Sequence, residues 1–167
     1  MENCNWDAPL ILARLKADSH LMGGKRVKDY PYLRGDKIGP LWVRMLRDNV
    51  GLNEIRNLDK VPIPVDVHIA RATLALGVVR GRYTGSVENL FKTIRKAWFE
   101  GVTGLNVDER PMIALDVDEP LWHLSKYGCT NRNLITGDCP VYDTCEAKAH
   151  CIKGQVEIRN SRVILNT

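Results

Sequence analysis

The chain has 167 residues, 44% of them hydrophobic and 26% charged, with a net charge of +4, which suits one domain or one domain with a small appendage. No apolar run is long enough to cross a bilayer, and the N-terminal MENCNWDAPLILARL lacks the basic start and continuous apolar stretch of a signal peptide, so a cytosolic protein is expected. The mild positive charge permits nucleic acid as a partner without requiring it.

Residues 6–17 read as a helix: Asp7 caps it, Pro9 suits the first turn, and Leu10, Ile11 and Leu15 share a face. Residues 18–29 read as a loop around Gly23-Gly24, in which Lys25, Arg26 and Lys28 can neutralise phosphates or simply face water. The next helix spans 39–50, with Leu41, Trp42, Met45 and Leu46 on one side, Arg44, Arg47 and Asp48 on the other, and Gly51 as its stop. Leu52, Ile55 and Leu58 predict a short helix or turn before Asp59-Lys60. The helix after Asp66 is expected to turn Val67, Ala70, Leu74 and Val78 inward and Arg71 outward. Residues 86–100 give the clearest helix, capped by Ser86, striped by Leu90, Phe91, Ile94, Ala97 and Trp98, and ended by Gly101. A loop follows, then Asp118-Glu119-Pro120 opens a helix through Leu121, Trp122 and Leu124 that Gly128 closes. Residues 155–159 and 162–165 predict a small β-hairpin around Asn160-Ser161. The fold class is mainly α, with residues 1–128 as a helical domain and 129–167 as a cysteine-bearing loop and hairpin.

Two helix starts carry the residues with chemistry. Lys37 stands before Gly39-Pro40, a pair that starts helices well and lets a phosphate backbone come close. Pro62-Ile63-Pro64 forces an extended approach to Asp66 at the mouth of another helix. A lysine and an aspartate delivered in this way suit an amine nucleophile and its carboxylate. Taken singly, Asp66 reads as an N-cap, Lys37 as a surface lysine, His68 as a structural hydrogen-bonder, and Trp42, Trp98 and Trp122 as core.

Cys129, Cys139, Cys145 and Cys151 follow the pattern C-x9-C-x5-C-x5-C. In a reducing compartment such a cluster points to metal rather than to disulfides. Zinc favours closely paired cysteines, which are absent, whereas a larger [4Fe-4S] cluster tolerates wider gaps; zinc and unligated thiols remain the alternatives. His150 reads as a bystander and Cys4 as an ordinary buried or free thiol. Between the first two cysteines, TNRNLITGD holds Arg132 on a polar tongue that either meets phosphate or is solvated.

GDKIGPLWVRML followed by VPIPVDVHIARA resembles the helix-hairpin-helix base-excision DNA glycosylases, nearest the 8-oxoguanine glycosylases, and the four cysteines resemble the cluster of the endonuclease III branch. The resemblance covers most of residues 30–151 in the family's order. It implies a damaged-base glycosylase with abasic-site lyase activity, cytoplasmic and at the nucleoid when bound to duplex DNA. Lys37 would be the nucleophile and Asp66 its carboxylate; Arg34, Gly35 and Gly39 would lie in or beside the DNA-gripping hairpin; the four cysteines would ligate an iron–sulfur cluster. Tyr32 and Leu33 stand where the family hairpin has Pro-Gly, and the cysteine intervals are wider than in endonuclease III. Only about thirty residues precede the hairpin, where the family carries most of a helical bundle; a shortened chain, a second subunit or a reduced relative would each account for this. The alternative functions are a non-catalytic DNA-binding or subunit protein on the same scaffold, and a zinc-stabilised helical module unrelated to DNA.

Overall fold

Helix α1 (Ala8–Ala17) starts on the Asp7 carboxylate, which accepts the Leu10 N–H at 3.0 Å, with Pro9 in the first turn. The computed structural model describes residues 4–81, 84–133, 136–152, 155–159 and 162–166. Helices dominate these residues, accompanied by small antiparallel sheets, so the mainly α expectation holds at that level. Ala8, Ile11 and Leu15 are buried along α1, while Leu10, expected on the same face, is 54% exposed.

Residues 18–29 are not a loop. Strand β1 (Ser19–Met22) pairs antiparallel with β2 (Lys25–Lys28), Met22 opposite Lys25 and Ser19 opposite Lys28. Gly23 and Gly24 both have positive φ (56° and 77°), as a two-residue primed hairpin turn requires. The turn at residues 31–33 therefore follows a ribbon, where the helix-hairpin-helix resemblance implies a helix.

Helix α2 (Ile38–Asp48) buries Gly39, Pro40 and Val43. Its expected apolar stripe is rotated: Leu41, Trp42 and Leu46 are half-buried and Met45 is exposed. Arg44 and Arg47, read as outward, have side chains only 12% and 18% exposed. An acidic segment draws them in, with Arg44 Nε 2.9 Å from Asp118 and Arg47 Nη1 3.0 Å from Asp116.

A short 3-10 turn at Leu58–Lys60 leads to Pro62–Pro64 and to helix α3 (Val67–Ala75), whose buried side runs from Ile69 to Ala75. Val67 and Val78, expected inside, are 41% and 40% exposed. Arg71, expected outside, donates to Ser125 Oγ and Thr130 Oγ1. Strand β3 (Thr84–Ser86) runs into helix α4 (Val87–Gly101), where Ser86 Oγ caps Glu88 N and Leu90 and Ile94 are buried. Strands β4 (Asn106–Val107) and β5 (Arg110–Pro111) make a second small ribbon in the segment read as a loop. A 3-10 turn at Ala114–Val117, helix α5 (Asp118–His123) and a π-helical turn at Leu124–Gly128 then reach Cys129. The expected C-terminal hairpin is present as β6 (Gln155–Arg159) and β7 (Arg162–Asn166); its Asn160-Ser161 turn lies outside the described residues. Strand β7 also pairs with β3, so the C-terminal hairpin is sewn to the strand that leads into α4.

The buried residues form two cores. One joins α1, α2 and residues 55–61 through Ile11, Leu15, Val43, Ile55 and Val61, with Trp42 packed against it. The other joins α3, α4 and α5 through Ile63, Ile69, Leu74, Leu90, Ile94 and Leu121, with Trp98 and Trp122 against it. Trp42, Trp98 and Trp122 thus pack against the cores, as does Trp6.

Thr73, with no exposed surface, ties α3 to α4: its hydroxyl donates to Ile69 O at 2.7 Å and accepts from Trp98 Nε1 at 2.8 Å. Thr73→Val keeps the shape but strands the indole N–H, and is expected to cost about 1–3 kcal/mol in urea denaturation. Thr73→Ser, which keeps the hydroxyl, is expected to lose clearly less; equal losses would remove the hydrogen bond as the cause.

Candidate active site and cysteine loop

The seam between the two cores is where Lys37 and Asp66 meet. Asp66, in extended backbone (φ −128°, ψ −170°), caps α3 by accepting from His68 N at 2.8 Å and Ile69 N at 3.0 Å, both through Oδ1. Its other oxygen is left for Lys37, whose Nζ lies 3.0 Å from Oδ2. Buried Ile63, Pro64 and Val65 hold the approach to Asp66. Lys37 occupies the residue before α2 and makes no side-chain cap, so its amine is free to cross the seam. The Lys37 side chain is 43% exposed and that of Asp66 14%.

This pair separates two clefts and lines both. The first, about 360 Å³, lies towards α5 and includes Arg44, Pro64, Asp118, Trp122 and His123. The second, about 690 Å³, lies towards α4 and includes Asp36, His68, Phe91, Lys92 and Arg95. Both fall in the size range of small-molecule sites, roughly 300–1,000 Å³. A smaller space of about 160 Å³ between α1 and α2, lined by Cys4, Arg14, Tyr30 and Trp42, falls below it.

Asp118 is the site residue that the sequence did not single out. It opens α5 with only 6% of its surface exposed and shares the first cleft with Lys37 and Asp66. Burial pushes its carboxyl up to about 6; Arg44 opposes the rise, while the charges of Asp66 and Glu119 add to it. Arg44 Nε is 2.9 Å from Asp118, but its N–H is not directed at an acceptor, so the contact is an ion pair without an aligned hydrogen bond. Burial therefore prevails over the cation. In sequence Asp118 is only the first acid of Asp-Glu-Pro, an ordinary helix start.

Of the other residues singled out, Gly35 and His68 line the second cleft beside this pair. Gly39 makes a close approach, but to its own chain: a Cβ there would lie 2.9 Å from the Leu33 carbonyl oxygen, and the residue is buried. Gly35 is exposed, and Arg34 Nε donates to Lys16 O at 3.0 Å. Lys25 and Arg26 are exposed on β2 and Lys28 is half-buried. His68 faces Ser125 Oγ at 3.4 Å and lies against the Trp122 ring, as a structural histidine would.

Arg132 is not on a solvated tongue. It is 8% exposed and donates from Nη2 to Cys151 Sγ at 2.9 Å, turned inward towards the thiols; Leu134 and Ile135 of the same loop lie outside the described residues. Burial pushes the Cys129 thiol up to about 11, with Arg132 opposing the rise and Cys151, Cys145 and Cys139 adding to it. Cys139, Cys145 and Cys151 are thus each within electrostatic reach of Cys129. Among the described residues, no three His, Cys, Asp or Glu side chains are arranged to hold a single metal ion. Cys4 is an ordinary buried thiol, with Arg14 Nη1 3.7 Å from its sulfur.

No protein-family model, curated protein or solved structure matches this chain. Among the described residues, no helix is long and apolar enough to cross a membrane.

Asp118 generates a pH prediction. Its carboxyl stands near 6 in the folded chain against an ordinary 3.8, so the folded state binds more protons between those values. Its contribution to stability is full below about 3.8 and is lost as pH rises through about 6, an upper bound of about 3 kcal/mol. The stability of the wild type minus that of Asp118→Asn is therefore expected to fall between about pH 4 and pH 7 in thermal or urea denaturation. A flat difference would mean that Asp118 ionises as an ordinary surface acid.

Proposed function

We propose that this chain is a base-excision DNA glycosylase with abasic-site lyase activity, using Lys37 as its nucleophile. The observation that carries the reading is the Lys37–Asp66 contact of 3.0 Å at the junction of two clefts. An amine must lose its proton before it can attack carbon, and the Asp66 oxygen is within hydrogen-bond reach to take it. Because Oδ1 is held by two backbone N–H groups, Oδ2 stays aimed at the amine.

In the reaction proposed, Lys37 Nζ bonds to C1′ of the damaged nucleotide as the glycosidic bond breaks. The bonding pair leaves with the base, which then takes up a proton. Ring opening gives a Schiff base, whose acidified C2′ proton permits β-elimination of the 3′ phosphate. Asp66 stabilises the cationic sugar as the base departs and relays protons. The target nucleotide must leave the duplex stack to reach either cleft. Asp118, close enough for Asp66 to influence its ionisation, adds a second carboxyl pushed up to about 6.

The exposed Lys25 and Arg26 of the ribbon would meet strand phosphates. Cys129, Cys139, Cys145 and Cys151 would hold a [4Fe-4S] cluster that orders the loop after α5 and takes no part in the chemistry. Arg132, buried on Cys151, suits charge compensation of thiolates better than contact with DNA.

Borohydride trapping on an abasic-site or 8-oxoguanine duplex tests the reading. The expected result is a covalent adduct with the wild type and none with Lys37→Gln. Asp66→Asn keeps a good N-cap while removing the charge, so it is expected to stay folded and to lose about 10²–10⁴-fold in rate. Salt-sensitive duplex binding without any Lys37-dependent adduct would favour a non-catalytic DNA-binding protein. For the cysteines, anaerobic purification is expected to give a coloured protein with about four irons and four sulfides per chain. Any single Cys→Ser change among the four should bleach it. A colourless protein with one zinc would instead select the zinc alternative.

A further inference from the structure

The second cleft holds a guanidinium nitrogen, Arg95 Nε, with no aligned acceptor among the described residues. Three carboxylates line it: Asp36 meets Lys16 at 2.6 Å, Asp66 meets Lys37 at 3.0 Å, and Glu88 accepts from the neutral Ser86 hydroxyl and feels the charge of Lys92 four residues on. On the facing surface of α4, Lys92 and Arg95 make no ion pair within 4.0 Å among the described residues. Arg95 Nε is buried and has no hydrogen-bond partner among the described residues. Burial holds the Arg95 guanidinium below its usual value, and the distant charge of Asp36 only partly offsets this. A half-buried cation that lacks an aligned acceptor gains most when an anion arrives.

The positions also fit one ligand. Phe91 and Arg95 are four residues apart and Lys92 and Arg95 three apart, so all three project from one side of α4. Lys37 stands on the opposite wall. An arginine fork and a neighbouring lysine suit phosphate oxygens, and an aromatic face beside them suits a sugar or base.

We propose that this wall is a phosphate-ester site in which Lys92 and Arg95 grip the phosphate of the nucleotide presented to Lys37, with Phe91 against its sugar or base. The assignment rests on the glycosylase reading for its ligand and deepens it. The phosphate belongs to a DNA strand in that reading; a free nucleotide offers the same chemistry. Arg95 and Lys92 touch no reacting atom and act by positioning.

The test compares wild type, the double variant Lys92→Gln/Arg95→Gln and the charge-keeping exchange Lys92→Arg/Arg95→Lys. Binding to a duplex containing a tetrahydrofuran abasic analogue is followed by fluorescence anisotropy across a salt series. Inorganic phosphate and thymidine 5′-monophosphate serve as competitors, each also titrated alone by calorimetry. The double variant is expected to bind the duplex at least about tenfold more weakly at low salt, with a salt slope shallower by about one to two. The exchange is expected to retain most of the binding. Thermal melting establishes that the variants fold. Lys92 is exposed, so Lys92→Gln alone keeps the test decisive if the double change does not fold.

Wild-type affinity and slope in the folded variants, with thymidine 5′-monophosphate binding also unchanged, would overturn the site. Loss of thymidine 5′-monophosphate binding in the variants, with no duplex bound by the wild type, would retain the site and make its ligand a free nucleotide. Borohydride trapping on the same preparations separates this inference from the reading beneath it. An adduct with unweakened binding in the double variant sinks the phosphate site alone. Weakened binding without any wild-type adduct sinks the lyase reading alone.

Discussion

The division of labour within the Asp66 carboxylate organises the centre of the molecule. Oδ1 satisfies two backbone donors that α3 leaves open at its start, and Oδ2 is left to face Lys37 at the start of α2. Because α2 belongs to one core and α3 to the other, this side chain joins the Arg44 ion pairs in tying the two cores across their seam. The rigid Pro62–Pro64 approach matters for the same reason. A cap on a loose segment would satisfy the helix but would not hold the second oxygen in a fixed direction.

Around this pair the charges are arranged unevenly. Towards α5, Arg44 meets Asp118 and Glu119, and Arg47 meets Asp116, so the cations of α2 are consumed by the acidic turn that faces them. Asp118 is the exception within that wall, because its burial works harder than Arg44 can offset. Towards α4, Asp36 and Asp66 are paired with lysines, Glu88 faces Lys92 along the helix, and the Arg95 Nε has no aligned acceptor among the described residues. Lys37 therefore has on one side a carboxyl pushed up to about 6 and on the other a guanidinium nitrogen without an aligned acceptor among the described residues.

The cysteine loop is anchored through its surroundings. Arg71 reaches from α3 to Ser125 and Thr130, Ile152 N donates to Ala75 O at 2.9 Å, and Arg132 lies on Cys151 Sγ. These contacts join the segment after residue 128 to the back of α3, whose front carries Asp66. Order in the loop and order at the site thus share one helix.

Sequence alone determined what depends on neighbours along the chain. Asp7, Ser86 and Asp66 were readable as caps because capping needs only a short polar side chain and the amides two or three residues ahead. The α4 stripe through Leu90 and Ile94 was readable because helical period alone puts them on one face. The Gly23-Gly24 turn was readable in principle, since two adjacent glycines are a primed hairpin turn signal, and the basic residues around it drew the reading to a loop instead. Tertiary structure decided the rest. Arg44, Arg47, Arg71 and Arg132 look like solvent-facing residues along the chain and turn inward because carboxylates, hydroxyls or a thiol from distant segments receive them. The meeting of Lys37 with Asp66, the burial of Asp118 and the Arg95 Nε without an aligned acceptor among the described residues are all of this kind. Each is set by what packs across a seam between elements far apart in sequence, and no local periodicity records it.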